Sequence, residues 1–152
     1  MDGNGQADAP WGYAVERGHP MLEAALCALG RSGVELRALP ACRGPACEWA
    51  RAAAACLARG ACRGVVLFCT DALLACCVAN KVPGVRAAAV WTVPQAERAV
   101  RTLGANLLAV EPDGRTFFEF KHILQLCCTR AAAGCPPVLA SVLEELDGHA
   151  HR

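Results

Sequence analysis

Three side chains able to do proton or nucleophile chemistry stand where a fold could use them: Cys69, Asp71 and His19. Cys69 closes the apolar run Gly64-Val65-Val66-Leu67-Phe68 and precedes a helical stretch. A thiol in that position can act as a base or nucleophile, because free N–H groups at a helix N-terminus favour the thiolate. Thr70 and Asp71 follow directly, and Asp71 adds a negative charge to the same turn. His19 precedes Pro20, which suits the first turn of another helix, so its imidazole faces either a ligand or solvent. The bland alternative for Cys69 is an inert core residue, since free cysteine packs as a small hydrophobe and the chain has eleven of them.

The elements that must position these groups alternate between strand and helix. Strands are predicted over residues 11–15, 34–36, 64–69, 85–91 and 106–110. Helices are predicted over 20–30, 48–59, 71–79, 94–103, 116–128 and 136–146, with Pro20 and Pro94 in first turns and Gly60 as a C-cap. Repeated strand–helix–strand crossovers predict an α/β, three-layer Rossmann-like fold: a five-stranded parallel sheet with helices on both faces. Ligands of such sheets bind beyond the carboxyl ends of the strands, which is where Cys69, Asp71 and His19 fall. The expected layout is one domain over 11–148, a disordered tail over 1–10 and a short tail over 149–152.

Composition narrows the partners. A chain of 152 residues with 55% hydrophobic and 19% charged side chains has ample apolar surface for one core, which excludes a disordered chain. A net charge of +1, with Lys81 and Lys121 as the only lysines, leaves no basic stripe for nucleic acid. The apolar stretch 65–79 is interrupted by Asp71 and is too short to span a membrane. The eleven cysteines are odd in number, and residues 1–10 lack an apolar signal core, so reduced thiols in a cytoplasmic protein are expected. No C-x-x-C pair occurs, Cys42 and Cys47 are loosely spaced, and His149 and His151 lie in a tail, so neither a metal nor another cofactor is expected. A redox-sensing role lacks the same C-x-x-C and any clear resolving pair.

The segment from Gly64 to Ala89 resembles the core of the type B ribose-5-phosphate isomerases and their galactose-6-phosphate isomerase relatives. The family pattern G-T-G-x-G-x-x-x-x-A-N-K-x-x-G-I-R-A-A, preceded by its cysteine, aligns without a gap from Cys69 to Lys81. It continues through Ala79-Asn80-Lys81-Val82-Pro83-Gly84-Val85-Arg86-Ala87-Ala88. Ala105-Asn106-Leu107-Leu108-Ala109-Val110 is similar to the family's A-N-V-L-A-L strand, and His19 falls near its D-H-A-G. The resemblance implies isomerisation of ribose 5-phosphate to ribulose 5-phosphate through an enediolate, without a metal. It makes Cys69 the base that moves the proton, with the turn through Thr70 and Asp71 beside the developing oxyanion. It puts His19 and Asn80 at the phosphorylated sugar. Its phosphate clamp, partly supplied by a second subunit, points to Arg115 and to a homodimer.

The chain departs from that pattern at several functional positions. Thr70-Asp71-Ala72 replaces Gly-Thr-Gly, and Leu74 replaces a further glycine. Thr102-Leu103-Gly104 replaces an H-N-D triplet, Gly18 an aspartate, and Pro45-Ala46-Cys47 a D-Y-P. Asp113 stands where the family has an arginine, with Arg115 close by, and Ala133-Gly134-Cys135-Pro136-Pro137 carries none of the family's C-terminal basic residues. Two functions follow. One is a divergent isomerase of reduced or lost activity. The other is a catalytically silent binding or scaffolding subunit, alone as a dimer or mixed with an active paralogue that supplies the missing arginines.

Overall fold

The computed structural model describes residues 9–129 and 134–149. Along them run β1 (Trp11–Val15), α1 (Pro20–Arg31), β2 (Leu36–Ala38), α2 (Ala46–Ala58), β3 (Gly64–Phe68) and α3 (Ala72–Ala79). They continue with β4 (Ala87–Val90), α4 (Val93–Thr102), β5 (Leu107–Val110), α5 (Phe117–Thr129) and α6 (Pro137–His149). All strand pairs are parallel, in the order β2-β1-β3-β5-β4. The expected α/β architecture is therefore the observed one. Most of the two tails lies outside the described residues, and no described helix is long and apolar enough to cross a membrane.

The unbroken apolar run of β3 reflects burial on both faces of the sheet. Val66 and Phe68 join Leu22, Leu29, Val100, Phe120 and Leu124 in a layer formed with α1, α4 and α5. Val65 and Leu67 point the other way, to Trp49, Ala53, Leu57, Ala72 and Ala75 of α2 and α3. Alternation along one strand thus feeds two cores. α6 differs from the other helices: it contains no buried residue, and Val138 on it is 81% exposed.

β3 and β5 are each one residue shorter than predicted, and two strands depart further, for local reasons. Residues 34–36 were expected as a strand, but the Val34 N–H closes the end of α1 by donating to the Leu29 carbonyl at 3.1 Å, so β2 starts at Leu36. Residues 85–91 shrink to β4 because side chains take the flanking amides. The Arg86 N–H donates to Asn106 Oδ1 at 2.7 Å, and the Trp91 N–H to Gln95 Oε1 at 2.8 Å. Asn80 holds the first residue of β4 from both sides, accepting from the Ala87 N–H at 2.7 Å and donating to its carbonyl at 3.0 Å. Asn106 also donates to the Gly84 carbonyl at 3.0 Å, and Arg86 Nε donates to the Gly104 carbonyl at 2.9 Å. The family-like residues Asn80, Arg86 and Asn106 therefore fasten the entry of β4 into the sheet.

Candidate active site at the carboxyl edge of the sheet

The sheet order changes direction between β1 and β3, and in open α/β sheets ligands bind at such a switch, beyond the strand ends. At that place lies a cavity of about 70 Å³ lined by Arg17, Gly18, His19, Phe68, Cys69, Thr70, Glu111, Pro112 and Asp113. His19, Cys69 and Thr70 are therefore brought together. His19 stacks edge-to-face on Phe120 at 5.4 Å, and its Nδ1 is buried with no partner among the described residues.

The other expected site residues lie elsewhere. Asp71 caps α3, accepting from the Leu74 N–H at 3.0 Å, and does not line the cavity. Arg115 faces Glu119 at 3.7 Å, outside the cavity lining. Asn80 is at the far end of α3, where it borders a larger hollow of about 410 Å³ beneath α6. That hollow lies at the amino ends of β4 and β5, away from the strand ends that gather His19 and Cys69.

Two residues not singled out from the sequence dominate the site. The Glu16 carboxylate accepts from the Thr70 N–H at 2.6 Å and from the Thr70 hydroxyl at 3.2 Å. The Glu111 carboxylate accepts from the Ala72 N–H at 3.1 Å. With Asp71 on Leu74, three amides at the start of α3 are held by the chain's own carboxylates. Position was the available signal: Glu16 and Glu111 directly follow β1 and β5, at the edge where ligands of such sheets sit.

Of the two readings open for Cys69, the setting favours the inert core residue over the activated thiol. Cys69 is 1% exposed, and burial pushes its thiol up to about 12. The Asp71 N–H pulls it down, while the Glu16 and Glu111 carboxylates push it further up. Helix amides favour a thiolate only while they are free to act on it, and here neighbouring ones face carboxylates. Among the described residues no group of His, Cys, Asp and Glu is arranged to hold a metal ion.

The three-layer fold thus sets a cysteine directly after its central strand, beside a histidine from the neighbouring strand's exit. A family model described as ribose/galactose isomerase matches residues 43–127, and the chain belongs to that family. Among solved structures, the type B ribose 5-phosphate isomerase of Trypanosoma brucei is similar at 21% identity, with a TM-score of 0.73, covering 93% of this chain and 98% of that one. Ribose-5-phosphate isomerase B of Clostridium thermocellum matches at 19% identity and a TM-score of 0.74, over 93% and 97% of the two chains. The ribose 5-phosphate isomerase of Thermotoga maritima matches at 16% identity and a TM-score of 0.74, over 93% and 99%. At these identities the likeness is one of fold. No curated protein matches the chain in sequence.

Proposed function

We propose that this chain is a catalytically silent member of the isomerase family that serves as a binding or scaffolding subunit. The observation that carries this reading is the occupation of the α3 amides by Glu16, Glu111 and Asp71. An enediolate forms only where donors already point at the oxygen that gains charge. Here that oxygen would meet carboxylates, a repulsion that rises steeply at short range in a water-poor site. Burial pushes the Cys69 thiol up to about 12, so little of the thiolate base is present at neutral pH. The cavity, about 70 Å³, falls well short of the roughly 300 Å³ at which small-molecule sites begin.

The test is conversion of ribose 5-phosphate to ribulose 5-phosphate by the purified protein, beside Cys69→Ala. The expected result is no ketose above the Cys69→Ala background. Turnover that depends on Cys69 overturns the reading and favours the divergent isomerase.

The subunit part of the proposal is supported by apolar surface left bare. α6 exposes Val138, Val142 and Leu146 at helical spacing, and α3, which has no charged side chain, exposes Leu73 at 65%. The proposed occupant is a second copy or an active paralogue, in the cytoplasm, where eleven thiols stay reduced. Sedimentation of the purified chain at micromolar concentration should give a dimer; a monomer, with no isomerase co-purifying from cells, overturns this part.

A further inference from the structure

α6 stands over the amino edge of the sheet as an arch held at its two ends. Just before its start, the backbone of Cys135 crosses Gly104 closely: a Cβ on Gly104 would lie 2.7 Å from the Cys135 nitrogen. Near its end, Asp147 Oδ2 accepts from the Gly84 N–H at 2.9 Å. Between these two fixings lies the hollow of about 410 Å³, within the roughly 300–1,000 Å³ typical of small-molecule sites.

The walls of the hollow are mainly apolar. Val85, Leu103 and Ala105 line it from the entries of β4 and β5, and Leu139, Ala140 and Leu143 line it from α6. Leu139 and Leu143 lie one helical turn apart and stay half-buried, so α6 turns apolar side chains to the protein without burying any of them fully. Walls of this kind lack partner atoms, and a guest that fills the space restores the missing dispersion contacts. The outward stripe of Val138, Val142 and Leu146 is a different one and remains open to a partner subunit.

The polar groups at the rim select the guest. Arg86 directs Nε to the Gly104 carbonyl at 2.9 Å and Nη1 to the Gly84 carbonyl at 3.4 Å. Asn80 gives both ends of its amide to the Ala87 backbone. Acceptors are what remain. Asp147 uses one carboxylate oxygen on Gly84, and Glu144 has no hydrogen bond or ion pair among the described residues. Two carboxylates against one guanidinium leave the hollow with an excess of negative charge.

We propose that the hollow beneath α6 is a binding site for a small organic monocation, an apolar body that carries a primary ammonium. The body fills the space under Leu139 and Leu143, and the ammonium donates to Glu144 and Asp147. Three N–H donors on one nitrogen can serve two carboxylates at once, and such charge-assisted bonds are the strong ones. An anionic guest would meet like charge there. The site lies at the other edge of the sheet from Cys69 and stands whether or not that thiol moves a proton.

The test is calorimetric titration of the full chain with phenethylamine and with hexylamine, beside hydrocinnamate, which has a similar body and the opposite charge. The expected result is saturable binding of the amines and none of the acid. In methyl NMR spectra of the wild-type chain, bound amine shifts the signals of Val85, Leu139 and Leu143. Those of Val66 and Leu124, in the layer formed with α5, stay in place. The double variant Glu144→Gln, Asp147→Asn keeps an oxygen for the Gly84 N–H and weakens amine binding about tenfold or more. Failure of both amines to bind at millimolar concentration overturns the proposal. So does equal binding of hydrocinnamate, a set of methyl shifts that leaves out Val85, Leu139 and Leu143, or a double variant that binds as tightly as the wild type.

Discussion

Cys69 in the native chain is alkylated at neutral pH about a thousandfold more slowly than an ordinary thiol. Its thiol stands at about 12 against a reference of 9.0, and three units of pKa are three decades in thiolate. Shielding of a side chain only 1% exposed slows it further. The pH dependence has a definite sign. Burial and the Glu16 and Glu111 charges disfavour the thiolate, so the rate climbs tenfold per unit well past 9.0, where an ordinary thiol levels off. Iodoacetamide labelling at a series of pH values, with each cysteine followed by mass spectrometry, measures it. Exposed Cys27 and Cys77 are the internal references. Equal rates at Cys69 and Cys27 at neutral pH would mean a free thiolate at the end of β3, and the case for a silent site would lose its base argument.

Phe120→Ala lowers the unfolding free energy by about 3–5 kcal/mol, a large part of the roughly 5–15 kcal/mol that holds a domain together. Phe120 is fully buried, and its ring meets Phe68 edge-to-face at 5.8 Å and His19 at 5.4 Å. Truncation leaves a void where α5 is pressed against β3, and it removes the ring against which the His19 imidazole rests. Urea denaturation should show a lower midpoint with an unchanged slope. A loss under about 1 kcal/mol would mean that α5 does not close this layer as described.

Much of the architecture was legible because local pattern and burial agree. The short, β-branched apolar run through Phe68 reads as a strand covered on both sides, and it is one; Pro20 and Pro94 do fall in first turns. The order of the strands was not legible, since nothing in residues 87–90 or 107–110 tells which of them pairs with β3. The ends of β4 were hidden for a different reason: Asn106 and Gln95 reach them from a distance in sequence or from the next helix. At the site, Cys69 and His19 were visible from their places at strand exits. The setting of Cys69 was not, because it depends on Glu16 and Glu111, each brought to α3 by its own strand. The most family-like residues, Asn80, Arg86 and Asn106, proved to fasten β4, so the clearest motif marks the scaffold.

The position of β5 between β3 and β4 also sets an order of events during synthesis. β2 and β3 can each pair with β1 as they leave the ribosome, because β1 is already made. β4 emerges next and has no neighbour, since its ladder partner β5 is still some twenty residues away. Until β5 arrives, the outer edge of β3, the most apolar strand, stands unpaired. The nascent chain is therefore most exposed to aggregation and to chaperone binding in that interval, and inserting β5 ends it by satisfying two edges at once.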